Sequence, residues 1–206
     1  MAELTNTQQG NKDFISIFDG KLVQRVPDGT EGAVQRKLTK GANEGKLVSE
    51  KTYNQVQGYI TGGEIAVKEF GSKKVKEIQI NLDDNIVLQL PMTYLSGFAK
   101  PLPNVDVKKE VQISVYKNKR GKTKLNISQG GNNIQWAYSQ ETPNGLPDVT
   151  QDDLGDWDFR DHDIFLELKV KEFFSTLEGA QEAPQGQAYD ESGIVPQDEP
   201  VDDIPF

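Results

Sequence analysis

Alternating apolar and polar residues dominate the middle of the chain and predict a series of β-strands. The segment NQVQGYITGGEIAVKEF, residues 54–70, predicts one long strand with a bulge or bend at Gly62-Gly63. VKEIQINL and NIVLQL predict the next two strands, with Asp83-Asp84-Asn85 as the turn between them. MTYLSGFAK predicts a short helix with Thr93 as its N-cap, and EVQISVYK and TKLNIS predict two more strands.

This order of elements is the one expected of an OB-fold, a five-stranded Greek-key barrel with a helix between the third and fourth strands, and it also occurs in other small barrels. FISIFDGKLVQRV and GAVQRKLT predict extra strands before the barrel, and NNIQWAY is compatible with one after it. Residues 163–178 fit a helical face, although their first half also alternates. Their length favours a C-terminal helix. We therefore expect a mainly β OB-fold with extra N-terminal strands and a C-terminal helix.

The two ends of the chain are polar and define the expected domain boundaries. Residues 1–12 predict a flexible N-terminus, and residues 13–178 the folded domain. Residues 179–206 are rich in Gly, Pro, Gln and acidic residues, and bury too little apolar surface to offset the entropy of ordering. We expect this segment to be a disordered acidic tail, in which about 22 flexible residues reach roughly 25 Å.

Composition excludes several classes of protein. The chain has no Cys and one His, His162, which excludes disulfide frameworks and multi-histidine zinc sites. No run of about 18 apolar residues and no signal-peptide pattern occurs, so we expect a cytoplasmic protein without a membrane partner. No cofactor motif occurs, and we expect no cofactor.

The net charge of -9 is unevenly divided. Residues 1–140 hold 20 Lys and Arg against 14 Asp and Glu, residues 141–178 hold 3 against 11, and residues 179–206 hold none against 7. The part that is richest in predicted strands is therefore basic, which favours a nucleic-acid partner despite the acidic total.

The two connections that OB-folds use to clasp single strands combine cations with aromatic residues: VKEFGSKKVKE joins the first two barrel strands and YKNKRGKTK joins the last two. Cations bind phosphates, and flat rings stack on unpaired bases at about 1–3 kcal/mol per base. A hairpin tip kept polar for solubility is the open alternative. The predicted DNA-binding residues here are Lys68, Phe70, Lys73, Lys74, Lys76, Tyr116, Lys117, Lys119, Arg120, Lys122 and Lys124.

Other candidates lie outside these connections. Tyr53 and Tyr59 share a predicted exposed face of the first barrel strand and are available for stacking. Trp136 shares a face with Ile134, so both core cover and base contact remain open. Arg36 and Lys37 are candidates to extend the cationic track. The aromatic residues that we assign to the core are Trp157, Phe159, Phe173 and Phe174.

An enzyme is the less favoured alternative. DVTQDDLGDWDFRDHD carries seven Asp residues, and clustered carboxylates hold the divalent ions of metal-dependent nucleases. The segment lacks EF-hand spacing, and the chain has no phosphate-binding loop and no nucleophile set that one His completes. A solvated loop with an Asp as helix N-cap is the favoured interpretation. We expect no enzymatic activity and no metal.

The last six residues, VDDIPF, resemble the C-terminal tip of bacterial single-stranded DNA-binding proteins, which end in several Asp followed by Ile-Pro-Phe. YNQVQGYITGG and TPNGLP are similar to segments of single-stranded DNA-binding proteins of tailed bacteriophages. The N-terminal strand motif of the bacterial proteins is not found, which leaves the oligomeric state open. The resemblance implies a sequence-independent protein that coats and protects single-stranded DNA in replication, recombination and repair.

The resemblance also implies that the tip recruits replication proteins. Burying the Phe206 ring in a pocket is worth roughly 1.5–3 kcal/mol. The acidic residues of the tip contact a basic rim around that pocket on the partner. The same acidic segment can also occupy the chain's own cationic groove when DNA is absent. The alternative is a β-barrel adaptor that docks on a host replication protein without touching DNA. The predicted tip residues are Asp198, Glu199, Asp202, Asp203, Ile204, Pro205 and Phe206.

Overall fold

A computed structural model describes residues 12–39, 43–70, 72–83, 85–152 and 154–181. Residues 1–11 of the predicted flexible N-terminus and the tip Asp198–Phe206 lie outside the described residues. The strands are β1 (Asp13–Phe18), β2 (Lys21–Val26), β3 (Val34–Lys37), β4 (Leu47–Tyr53), β5 (Gln55–Gly58), β6 (Ile60–Phe70), β7 (Lys73–Leu82), β8 (Ile86–Pro91), β9 (Val111–Lys117), β10 (Thr123–Gln129), β11 (Asn132–Asn133), β12 (Thr150–Gln151) and β13 (Trp157–Asp158). The α-helices are α1 (Leu95–Ala99) and α2 (Arg160–Gln181).

The protein is mainly β, and its strands form one large mixed sheet and two smaller sheets. The seven-stranded sheet has the order β3-β4-β2-β1-β8-β7-β6, in which β1 and β8 run parallel. The four-stranded sheet has the order β11-β10-β9-β5, and β12 and β13 form a separate pair. A single residue separates the end of β5 from the start of β6. This stretch of chain therefore contributes one strand to the four-stranded sheet and one to the seven-stranded sheet.

The strands predicted from alternation are confirmed as β7, β8, β9 and β10, and a short helix does lie between the third and fourth predicted strands. The predicted long first strand is interrupted at Tyr59 and divides into β5 and β6. A register shift between Ile60 and Gly62 confirms a bulge near the paired glycines. The predicted N-cap Thr93 is wrong: a 3-10 turn, Met92–Tyr94, runs into α1, whose N-cap is Tyr94.

The described strands do not close into the predicted barrel. Closure of an OB-fold needs pairing between its third and fifth strands, here β8 and β10. Instead, β1 pairs with the free edge of β8, from Asp13 opposite Ile86 to Ser16 opposite Gln89. The extra N-terminal strands therefore satisfy the backbone groups of β8 and extend the sheet past the point of closure.

Helix α2 packs on β6 and α1 through one apolar face. Leu166, Val170, Phe174 and Leu177 recur at helical spacing and are buried, which confirms the predicted helix and its core Phe174. A Cβ on Gly63 would lie 2.5 Å from Cζ of Phe174, so only glycine permits this close approach of helix and sheet. The helix runs to Gln181, three residues into the predicted tail.

Two further predictions concern the burial of Phe173 and the absence of a membrane span. Phe173, predicted to be core, is half-buried at the core margin. Among the described residues, neither helix has the length and apolar character needed to cross a membrane.

Candidate nucleic-acid interface

The β9–β10 hairpin presents a dense group of unpaired cations. Its tip is fixed by Asn118, whose Oδ1 accepts hydrogen bonds from the backbone N–H groups of Arg120 (3.0 Å) and Lys122 (2.9 Å). Gly121 has a φ of 73°, the left-handed conformation that closes the turn. Within the described part of the chain, none of the hairpin cations forms an ion pair. They are Lys117, Lys119, Arg120, Lys122 and Lys124.

The β6–β7 hairpin, predicted to be an equivalent clasp, has most of its cations paired with carboxylates of the chain. Lys68 Nζ lies 2.6 Å from a carboxylate oxygen of Glu77, and Lys74 lies 3.3 Å from Glu69. Lys76 reaches helix α2, where it bonds Glu167 at 2.9 Å. Lys73 is exposed, and the side chain of Phe70 lies outside what the structure describes. The two hairpins therefore differ in available charge, although both are basic in sequence.

The ion pair between Lys76 and Glu167 also involves Lys171 of α2. Burial alone would raise the pKa of Glu167, but hydrogen bonds from Lys76 and Lys171 outweigh it and lower that pKa. Glu167 therefore remains an anion at neutral pH and continues to neutralise Lys76. This interaction makes Lys76 a structural residue of the sheet–helix contact.

One face of the β9–β10 ladder carries groups suited to bases and phosphates. Tyr116 is directly opposite Lys124, and Ser114 is directly opposite Asn126, so these side chains share the outer face. Tyr116 is exposed, and Asn126 Nδ2 donates to Asn133 Oδ1 at 2.9 Å. A ring, a cation and neutral amides therefore adjoin on one polar surface.

This surface continues into a groove of about 1200 Å³ that contains both tryptophans of the chain. Asn126 and Asn133 line the groove together with Trp136 and Trp157, whose exposed fractions are 54% and 62%. Both rings are thus accessible to a ligand. The groove also contains two carboxylates, Glu141 and Asp148.

Lys100 adds a cation to the groove, and its Nζ lies 5.1 Å from the centroid of the Trp136 ring. Burial lowers the pKa of Lys100; the charge of Asp163 opposes this shift, and the charge of Lys124 adds to it. Lys124 of the hairpin is therefore close enough to Lys100 for their charges to interact.

The loop that carries Trp136 is held on both sides by hydrogen bonds. Ala137 N donates to Lys100 O at 2.9 Å, and Asn104 Nδ2 donates to Gln135 O at 2.9 Å. Next to them, the buried Tyr138 packs edge-to-face on Phe165 at 5.2 Å between centroids. Trp136 is therefore an exposed ring on a fixed backbone, which reduces the entropy lost when a ligand binds.

Three sequence predictions about aromatic residues need correction. Trp157 and Phe159 were assigned to the core but are exposed, because they lie on and just after the two-residue strand β13, beside helix α2. Tyr53 is not an exposed stacking residue: it ends β4, packs against the core and donates its hydroxyl to Gln24 Oε1 at 2.6 Å. Tyr59 is exposed, as predicted.

The two N-terminal candidates have different environments. Arg36 Nε and Nη2 donate to the carboxylate of the buried Glu50 at 2.8 and 2.6 Å, so this cation is paired inside the sheet. Lys37 is exposed on the edge strand β3. Arg36 therefore differs from the hairpin cations, because its charge is paired with a carboxylate.

The acidic segment has carboxylates that serve local structure. Asp152 Oδ1 accepts from the backbone N–H groups of Leu154 and Asp156, at 2.9 and 2.8 Å. Hydrogen bonds from Arg160 lower the pKa of Asp158 to about 2. No group of three or more His, Asp or Glu that could hold a metal ion occurs in the described ranges.

Sequence reasoning missed Lys100, which it treated only as the end of a helix. The sequence does carry a signal for an available cation here. Lys100 stands alone among apolar residues next to a predicted turn, where it has few partners within the chain. Comparisons with protein-family models, curated proteins and solved structures give no match for the chain.

Proposed function

We propose that this protein is a non-enzymatic single-stranded DNA-binding protein that binds largely without regard to sequence. The observation that carries the proposal is the hairpin of unpaired cations that continues into a groove with two exposed tryptophans. Proteins that bind single strands combine a positive track for the backbone with aromatic rings for the bases. The protein would coat and protect single strands during replication, recombination and repair, as the phage-type resemblance implies.

The chemistry divides between the two parts of the surface. The hairpin cations bind phosphates and release counterions, which supplies affinity without sequence information. Trp136, Trp157 and Tyr116 stack on bases, since every base has a flat face. Asn126 and Asn133 offer both donors and acceptors, so they accommodate different base edges.

We infer from the strand pairing that the fold is an OB-fold derivative. The continuous β5–β6 segment pairs with both β7 and β9, β7 pairs with β8, and β9 pairs with β10. These are four of the neighbour relations of an OB-fold, whose barrel is only partly closed. The β9–β10 hairpin then corresponds to the loop between the fourth and fifth strands.

We propose that the acidic tip recruits replication proteins in the cytoplasm of a bacterial host. The Phe206 ring and the acidic side chains of the tip offer a hydrophobic anchor and anions to an Arg-lined pocket on a partner. An affinity near micromolar, about -8 kcal/mol, would keep recruitment reversible.

The hairpin cations provide the first test. Replacing Lys119, Arg120 and Lys122 with alanine is expected to reduce the magnitude of the log-log salt slope for dT-oligonucleotide binding by about 2, because each single-strand phosphate contact contributes about 0.7. The slope is measured by anisotropy titration of a labelled oligonucleotide at several salt concentrations. Their exposure leaves the folded state intact.

The control removes the same charge from the other hairpin through Lys73→Ala, Lys74→Ala and Lys76→Ala. Two of these three lysines are paired with carboxylates in the fold, so the slope is expected to change by less than half as much. Equal changes in both variants would mean that net charge alone drives binding and would contradict the assigned interface.

A further inference from the structure

Two exposed phenylalanines lie on an interior strand of the seven-stranded sheet. Phe14 and Phe18 belong to β1, which is flanked by β2 and β8, and their exposed fractions are 51% and 46%. They share one face with Ser16, whereas the buried Ile15 points to the opposite face. The core is thus on the other side, and these two rings face outward.

The strand partners on this face include two buried valines, Val87 opposite Phe14 and Val23 opposite Ser16, and polar and cationic side chains adjoin them. Gln89 is opposite Ser16 on β8, and Lys21 is opposite Phe18 on β2. The guanidinium carbon of Arg36 lies 3.8 Å from the centroid of the Phe18 ring. Of the acidic residues on this side of the sheet, Glu50 is buried and bonded to Arg36, Glu77 is paired with Lys68, and Glu64 is exposed on β6, two strands beyond β8.

Arg25 lies close to the same carboxylate, with its Nε 4.0 Å from Glu50 Oε1. Its side chain is largely exposed, so most of its donors are free for another anion. Arg25 therefore adds accessible positive charge to the face around the phenylalanines.

The turn between β1 and β2 joins this face to the hairpin of the proposed DNA site. A Cβ on Gly20 would lie 2.9 Å from Thr123 Oγ1 and 3.1 Å from Lys117 Cε. Thr123 and Lys117 are directly opposite each other and form the last pair before the turn of the β9–β10 hairpin. They lie on the face of the ladder opposite Tyr116, because successive side chains alternate. The turn end of the hairpin thus stands between the tryptophan groove and the phenylalanine face.

We propose that Phe14 and Phe18 form a second base-stacking surface for the same single strand, which passes from the tryptophan groove around the turn end of the β9–β10 hairpin. This inference rests on the proposed function and adds a binding surface from strands outside the five of the OB-fold. The ligand is a single-stranded nucleic acid, because flat rings beside cations and neutral amides suit unpaired bases linked by phosphates.

The test compares two oligonucleotide lengths. The variant Phe14→Leu/Phe18→Leu keeps apolar volume and removes the flat rings. OB-folds occupy about 4–16 nucleotides, so a dT strand of about 6 nucleotides fills the groove alone and one of about 20 reaches both surfaces. The variant is expected to lose about tenfold in affinity for the long strand and less than twofold for the short one. Leu168→Ala, a change at an exposed apolar residue of α2, is expected to alter neither.

The outcomes separate this inference from the proposed function. Unchanged binding of the long strand by the phenylalanine variant, or equal losses for both lengths, would overturn the second surface. The proposed function would stand in either case if replacement of Trp136 and Trp157 still weakened binding. Absence of binding of both lengths by the unaltered protein would overturn the proposed function itself, and this inference with it.

Discussion

Replacing Trp136 and Trp157 together with alanine is expected to weaken binding to a dT oligonucleotide about 100-fold. Stacking contributes about 1–3 kcal/mol per base, and two contacts near 1.4 kcal/mol each correspond to a factor of about 100. Both rings are more than half exposed, so their removal should leave the free energy of unfolding nearly unchanged.

Affinity is measured by anisotropy of a labelled strand, because the double variant has no tryptophan left to report binding. Leu154→Ala is the matched control: Leu154 is an exposed apolar residue near Trp157, and its loss should not alter affinity. Full affinity in the tryptophan double variant would show that the groove does not hold bases.

Replacing Phe174 with alanine is expected to lower the free energy of unfolding by about 3–5 kcal/mol. The ring is 3% exposed, and its centroid lies 6.1 Å from that of the buried Phe98. It also fills the space that Gly63 leaves at the sheet. Urea denaturation followed by circular dichroism measures the change.

The neighbouring residue Phe173 supplies the control, because Phe173→Ala removes a half-buried ring from the same helix. Its cost should be clearly smaller than that of Phe174→Ala. Equal costs would be inconsistent with a helix that docks through the face containing Phe174.

The local parts of the fold were predictable from the sequence. Alternation identified β7 to β10, and the apolar spacing from Leu166 to Leu177 identified α2, because burial on one face leaves a period in the sequence. Pairing of β1 with β8 leaves no such period. These strands are parallel and far apart in the chain, so neither a turn nor a repeat indicates that they meet.

The sequence predicts the residue types of the candidate interface, but not which of these side chains are free to contact a ligand. The sequence shows lysines in both hairpins, yet the partner of Lys76 is Glu167, 91 residues away. The apolar character of Trp157 favoured the core, whereas its place on a short surface hairpin exposes it. The exposure of Phe14 and Phe18 also has a local signal in the sequence. FISIF is largely apolar on both faces, and one face of this sheet is not core.

The most direct test of single-strand binding is an equilibrium titration of the full chain with a labelled dT oligonucleotide and with its duplex, at low and at moderate salt. We expect saturable binding of the single strand, weaker binding of the duplex, and a log-log salt slope near -3.5 for about five phosphate contacts. Absence of single-strand binding at low salt would contradict it.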